Sequence, residues 1–441
     1  MILIGNAPVI TGTKENPLIP DGCVAVDGDR ILETGQTDTL RSRYPDSEFV
    51  DADGCICMPG LINAHEHIYS EFARGLSMPY DTPHGFLGVL ENIWWPLDRA
   101  MTPDAVQASA AACLIECIKN GVTTVIDHHA GYGTIGGSLS LIAEQARRLG
   151  VRTCLCYEIS DRDGQDKCRE AIRENMRFID ETVREDSPML RGLVGLHASF
   201  TLSDGTLDAV RSANTHHAGY HVHVAEGAYD EDLCREQHGC SIVERFAREG
   251  ILGPDTIAAH CIHIEDSDLD LLRSTGTMVV HNPESNMNNA VGAPDILAMR
   301  DRGITVGLGT DGYGQDLLRS MQTANILQKL CHQDPARGMD DAWSLLFEGN
   351  PAIASHIFGL PVGILAPGAA ADLILARYTP MTPLTRDNYR AHMMFGLTGA
   401  QTDSVMIGGR FVMRGRKLLA VDEEEEMAKA RESASRLWEK F

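Results

Sequence analysis

Short apolar runs recur through the middle of the chain. Each leads into a polar cluster and then into a stretch with helical periodicity. The runs are 60–64, 122–126, 151–157, 192–196, 220–224, 256–259, 278–280 and 304–308. Strands that alternate with helices in this number predict a (β/α)8 TIM-like barrel of the α/β class. An open, doubly wound sheet suits the alternation less well. No Gly-rich dinucleotide fingerprint or phosphate loop follows any of the runs.

The two chain ends have a different texture. Residues 1–9, 22–26, 30–34 and 48–58 alternate apolar and polar positions between turn residues, as short strands do. The same pattern returns at 371–377 and at 405–415, where Gly408-Gly409 marks a hairpin turn. Chain ends commonly lie close together. The expected organisation is a β-sandwich domain from residues 1–58 and 363–420, a barrel over 59–362, and a C-terminal helix over 421–441. That helix opens on Asp422 and four glutamates. Negative charge there suits a helix N-terminus, so it reads as a capped surface helix rather than an acidic tail.

Composition narrows the partners. Asp plus Glu outnumber Lys plus Arg by 62 to 38 in 441 residues, a formal net charge of -24. Nucleic acid and anionic membranes call for a cationic surface, so neither is expected as a partner. No signal peptide opens the chain and no apolar run approaches a membrane span. A cytoplasmic protein is expected. Its 12 cysteines contain no C-x-x-C pair and read as reduced, buried hydrophobes. A homo-oligomer is expected, since dimers and tetramers are common among soluble proteins.

Barrel enzymes carry their chemistry at the C-terminal strand ends. In order, the eight runs end in His65-Glu66-His67, Asp127-His128-His129, Glu158, His197, His223 with Glu226, His260, His281 and Asp311. A lone histidine at a strand end is usually a hydrogen-bonded core residue. Titratable groups at every end, converging on one rim, point to a metal site. His65 and His67 are two apart and share a strand face. With His223 and Asp311 they offer three imidazoles and a carboxylate. That set suits Zn2+ or Fe2+ with an open position for water. No lysine ends a strand, which speaks against a bridged two-metal centre. Asp311 can take the water proton, Glu226 can carry a proton to a ring nitrogen or leaving group, and His260 can orient the attacking hydroxide.

These motifs resemble the amidohydrolase superfamily, over nearly the whole chain. Pro59-Gly-Leu-Ile-Asn-Ala-His-Glu-His resembles its first metal motif. His223-x-x-Glu226, Ala259-His-Cys, His281-Asn-Pro-Glu-Ser-Asn and Leu308-Gly-Thr-Asp-Gly resemble the later ones. The deaminase and chlorohydrolase branch, which uses one metal, is the most similar. Within it, the segments 91–100, 126–130, 136–139 and 285–289 look like the SsnA-type aminohydrolases. The resemblance implies His65, His67, His223 and Asp311 as ligands of one divalent ion. It implies Glu226, His260 and Asp311 as catalytic groups. His197 and His281 match positions that contact substrate. His128 and His129 depart from the general branch and match the subgroup; His129 is taken as the substrate contact and His128 as a cap on the rim.

The implied activity is hydrolysis of a C–N bond in a purine-like heterocycle by a metal-activated hydroxide. The same machinery also serves ring-opening hydrolysis or dechlorination, and a catalytically silent barrel is the remaining alternative. The long segment between the first two runs reads as a lid. Within it, Trp94 can stack on a flat ring and Arg74 can hold an anionic or carbonyl oxygen. His216, His217, His238 and His263 end no run and are assigned to the structural background.

Overall fold

The computed structural model describes residues 1–79 and 84–441. The chain opens with β1 (Ile2–Ile10), β2 (Leu18–Asp27), β3 (Arg30–Gln36), β4 (Glu48–Asp51) and β5 (Ile56–Pro59). The barrel strands follow as β6 (Leu61–Glu66), β7 (Val122–His129), β8 (Arg152–Ile159), β9 (Leu190–Gly192), β10 (Val194–Leu196), β11 (Tyr220–Val224), β12 (Ile257–His260), β13 (Met278–His281) and β14 (Val306–Leu308). The chain returns through β15 (Leu373–Ala376), β16 (Thr402–Ile407), β17 (Arg410–Arg414) and β18 (Lys417–Leu418).

The barrel sheet runs β14-β13-β12-β11-β10-β8-β7-β6 through parallel pairs, with β9 on β8. It closes where the Thr310 and Asp311 amides donate to the His65 carbonyl at 3.1 and 3.0 Å. Asn350 staples the same seam, its amide donating to the carbonyls of Ile62 (2.6 Å) and Leu308 (2.8 Å). Parallel strands covered on both faces read as continuous apolar runs, which is why the alternation was visible in the sequence. Alternate residues fill the interior: Ile62, Ala64, Ile126, Cys154, Cys156, Ile257, Met278 and Val280 form one cluster with Ile353 and Phe358. Gly309 permits the final turn. A Cβ there would sit 2.8 Å from the His65 carbonyl and nearer still to Asn282 Oδ1.

The chain ends join in a second sheet of order β18-β17-β16-β15-β5-β1-β2-β3, with β4 on β1. It encloses its own core of residues such as Val9, Val24, Ile31, Leu373 and Met406. A buried ion pair ties it to the barrel: Arg152 on β8 reaches Asp372, just before β15, at 2.9 Å. The C-terminal helix spans Glu423–Trp438, capped by Asp422. It lies on the helix Pro103–Lys119, and Trp438 Nε1 donates to the Phe72 carbonyl at 2.8 Å. Among the described residues no helix is long and apolar enough to cross a membrane.

Candidate active site

The strand ends bring His65, His67, His223, His260 and Asp311 to one point. Asp311 Oδ1 lies 3.1 Å from His67 Nε2 and 3.7 Å from His65 Nε2, and Oδ2 lies 3.8 Å from His260 Nε2. The ligand atoms of His65, His67 and His223 all fall within 4.8 Å of one another, as do those of His65, His260 and Asp311. Ala225 (φ 47°), His260 (φ 73°) and Asp311 (φ 55°) are left-handed without being glycine. Such strain costs about 1–3 kcal/mol and persists where the surroundings fix it, often at functional sites.

Each ring is oriented from behind. His67 Nδ1 lies 2.6 Å from the His128 carbonyl, and His223 Nδ1 lies 2.8 Å from the His197 carbonyl. A carbonyl only accepts, so both Nδ1 atoms carry a proton, and each ring in its neutral form turns an Nε2 lone pair inward. Those two Nε2 atoms face each other at 3.2 Å. Lone pairs so close repel unless positive charge sits between them. His65 Nε2 is buried with no hydrogen-bond partner, and its Nδ1 is 2.8 Å from His221 Nε2. His260 Nδ1 donates to Asn286 Oδ1 at 2.8 Å, and its Nε2 is likewise buried and unpartnered. Three fixed imidazole nitrogens and one carboxylate oxygen fit a single divalent cation.

The field agrees. Burial opposes charge on His67, yet the Asp311 carboxylate overrides it and lifts the ring to about 9. Burial opposes charge on Asp311 too, but the His65 and His67 rings facing its Oδ1 hold it well below the usual carboxylate range. Ser285 Oγ and the Gly312 amide donate to it at 2.6 and 2.8 Å. Glu226 behaves oppositely. Burial, then the charge on Asp311, raises its carboxyl well above the usual range, and Oε2 sits 3.5 Å from His260 Nε2.

A cavity of about 800 Å³, its open mouth included, lies over this point. His67, His223, Glu226 and Asp311 line it, together with Trp94 and His197. Arg74, His129 and His281, expected at the substrate, do not line it. Arg74 is exposed and paired with Glu71 (3.3 Å) and Glu116 (3.6 Å). His129 and His281 follow inward-facing His128 and Val280, so strand alternation turns them away; both are fully buried. His128 sits inside the barrel rather than on its rim, its ring 4.6 Å from that of His223.

Sequence reasoning passed over His221, Ser285 and Asn286. His221 was legible, because Tyr220-His-Val-His-Val puts it on the same face as His223. Ser285 and Asn286 lie in the His281–Asn286 motif, where nothing local shows that they bond Asp311 and His260. It also passed over Glu66, fully buried beneath the site, which accepts from Thr310 Oγ1 at 2.6 Å. Of the background histidines, His216 pairs with exposed Asp180 at 2.6 Å, and His263 contacts the Val291 carbonyl at 2.9 Å.

A closed barrel with an inward-facing histidine and carboxylate cluster at its strand ends defines the class: a metal-dependent barrel hydrolase. The sequence profile of the amidohydrolase family matches residues 56–412, and the chain belongs to that family. A shorter match, to an imidazolonepropionase-like composite domain of bacteria, covers residues 22–46. The 5-methylthioadenosine/S-adenosylhomocysteine deaminase of Pelotomaculum thermopropionicum is 30% identical over 99% of this chain and 98% of its own. The 5'-deoxyadenosine deaminase of Methanothermobacter thermautotrophicus is 29% identical over 95% of this chain and 94% of its own. Among solved structures, an adenosine deaminase from Xanthomonas campestris with bound zinc superposes with a TM-score of 0.88 at 23% identity, covering 99% and 98% of the two chains.

Proposed function

We propose that the protein is a zinc-dependent aminohydrolase that removes the exocyclic amine of a purine-type ring, with adenine nucleosides as the first substrate class. The observation that carries this reading is Glu226. It is a raised carboxyl on the cavity wall, 3.5 Å from His260 and outside the inward-facing nitrogen set. Metal storage gives such a group no task, whereas deamination needs a proton donor there. The names of the deaminase relatives support the substrate class, and the zinc in the Xanthomonas structure supports zinc over iron.

His65, His67, His223 and Asp311 would hold the ion. When bound, it supplies Lewis acidity and lowers the pKa of water. Protonated Glu226 gives its proton to the ring nitrogen beside the carbon under attack and regains one from the water. Asp311, with His260 beside it, takes the second water proton and passes it to the departing amine. One C–O bond forms, one C–N bond breaks, and ammonia leaves. The twelve unpaired cysteines, eleven of them buried, suit a reducing cytoplasm. Light scattering tests the homo-oligomer we expect.

The test is ammonia release from adenosine, 5'-deoxyadenosine, 5'-methylthioadenosine and guanine by the zinc-loaded protein and its Asp311→Asn variant. Ammonia from an adenine nucleoside, lost in the variant, is expected. Ring absorbance changing without ammonia would replace deamination by ring opening. No conversion of any of the four would refute the reading.

A further inference from the structure

One group of acidic and basic side chains at the cavity wall has no part in the chemistry above. Glu158 ends β8 and lines the cavity. Its Oε1 accepts from Arg162 Nη2 at 2.9 Å, and no group among the described residues donates to its Oε2. Arg162 is itself fixed. Its guanidinium lies 4.2 Å from the Tyr132 ring centre and 5.2 Å from that of Trp95, and Nη2 also bonds to buried Asp98. Asp98 lines the cavity too, and its Oδ1 is buried without a partner.

His197 completes the wall. Its Nδ1 is 2.7 Å from Thr201 Oγ1, and that hydroxyl gives its own proton to the Ala198 carbonyl at 3.1 Å. His197 Nδ1 is therefore the donor, and a neutral His197 offers the cavity an Nε2 lone pair. Beside it, burial pushes the Glu158 carboxyl up, but His197 when protonated and the Arg162 guanidinium both pull it down, to about 2, so Glu158 stays ionised. No lysine or arginine lines the cavity among the described residues. On this side of the cavity Glu158 Oε2 and His197 Nε2 stand as acceptors.

We propose that Glu158 is a specificity-determining residue, its Oε2 acting with His197 Nε2 to receive a pair of adjacent hydrogen-bond donors on the substrate. This rests on the deaminase reading and narrows it. Two sources carry such a pair: the vicinal hydroxyls of a ribose, and neighbouring N–H groups of a free heterocycle.

Two probe pairs separate these sources. Adenosine and 2',3'-dideoxyadenosine differ in the diol; adenine and 9-methyladenine differ in the ring N–H. Each is assayed for ammonia release, and for binding by equilibrium dialysis, with zinc-loaded wild type and Glu158→Gln. The variant keeps the shape and an oxygen for Arg162 but turns an amide N–H toward the cavity. Wild type should favour the donor-bearing member of one pair by about 10- to 100-fold, the range of a hydrogen bond to a charged group, mostly through KM. In Glu158→Gln that preference should fall below about threefold with kcat little changed. A preference in the first pair assigns the diol, and one in the second assigns the ring edge. Wild type indifferent to both pairs, or a folded variant that keeps the wild-type ratio, overturns the proposal. If wild type converts none of the four, the dialysis ratios alone decide the role of Glu158, and the deaminase reading falls if 5'-deoxyadenosine, 5'-methylthioadenosine and guanine are inert as well. Absence of binding overturns both.

Discussion

Replacing His221 by phenylalanine isolates the support of one expected metal ligand. His221 lies fully buried inside the barrel, with Nε2 2.8 Å from His65 Nδ1 and Nδ1 facing Cys156 Sγ at 3.8 Å. Burial and the surrounding imidazoles hold it well below the ordinary histidine value, so it is neutral. In His221→Phe the His65 Nδ1–H is left buried and unpaired, at a cost of about 1–3 kcal/mol. The ring can escape that cost by moving its proton to Nε2, and it then has no lone pair for a cation. Outer partners of metal-bound histidines are commonly worth about 10- to 100-fold in affinity, or about 1.4–2.8 kcal/mol. We expect zinc affinity to fall by that factor in competition with a chromophoric chelator. His221→Gln, whose side-chain oxygen can accept from His65, should recover most of the loss. A folded His221→Phe that binds zinc within about twofold of wild type would refute the reasoning, because His65 would then either not ligate or not need its partner.

Four further outcomes are expected. Glu226→Gln should lower kcat by about 100-fold or more with zinc content unchanged. Because the folded carboxyl is raised, its proton is present at low pH and lost as pH climbs through that raised value; kcat should fall on the same alkaline limb, and the variant should lack it. Asp372→Asn, which leaves buried Arg152 without its charge partner, should lose about 3–5 kcal/mol of stability in urea titration while the folded fraction keeps its kcat. Of the twelve cysteines only Cys331 is exposed, so a thiol reagent should titrate one group rapidly in the native protein and twelve after denaturation. Adenosine 5'-monophosphate should be turned over less efficiently than adenosine, by about 10-fold or more, since no lysine or arginine among the described residues lines the cavity to meet a phosphate; comparable kcat/KM values would contradict this reading of the cavity.

The parts of the molecule legible in the sequence are those with a local signal. Strands buried on both faces show as apolar runs, and their C-terminal ends place His65, His67, His223, His260 and Asp311 together wherever the barrel closes. The chain ends were read less finely. The stretch 48–58 looks like one strand but is β4 and β5, broken where Asp53 (φ 50°) and Gly54 (φ 71°) turn left-handed. The helix Thr37–Arg43 was not anticipated, because its few residues cover less than two clear turns. Glu158 was visible as a strand end, but its grouping with Arg162 and Asp98 was not. That grouping joins the segment after β6 to the end of β8, and only the closed barrel brings the three into contact. The substrate contacts expected at His129 and His281 came from position along a strand without the side-chain parity that turns them away from the cavity.

The two layers of the site are held in different ways, and this bears on how substrate preference can change. Of the inward-facing rings, His67 and His223 are fixed by main chain, while His65 leans on the His221 side chain. The His197 carbonyl takes both the His223 amide (3.0 Å) and the His223 ring Nδ1 (2.8 Å), so the hydrogen bond that pairs the strands also sets the tautomer. The His128 carbonyl does the same for the His67 ring. Neither acceptor can be removed by substituting its own side chain. The cavity wall rests instead on side chains: Glu158 on Arg162, Arg162 on Asp98, and both rings that stack on that guanidinium. Substitutions at these positions can therefore exchange acceptors for donors over the reacting point without disturbing the imidazoles beneath it. On this arrangement, relatives that act on different heterocycles should differ first in the wall, while the inward-facing nitrogens keep their orientation.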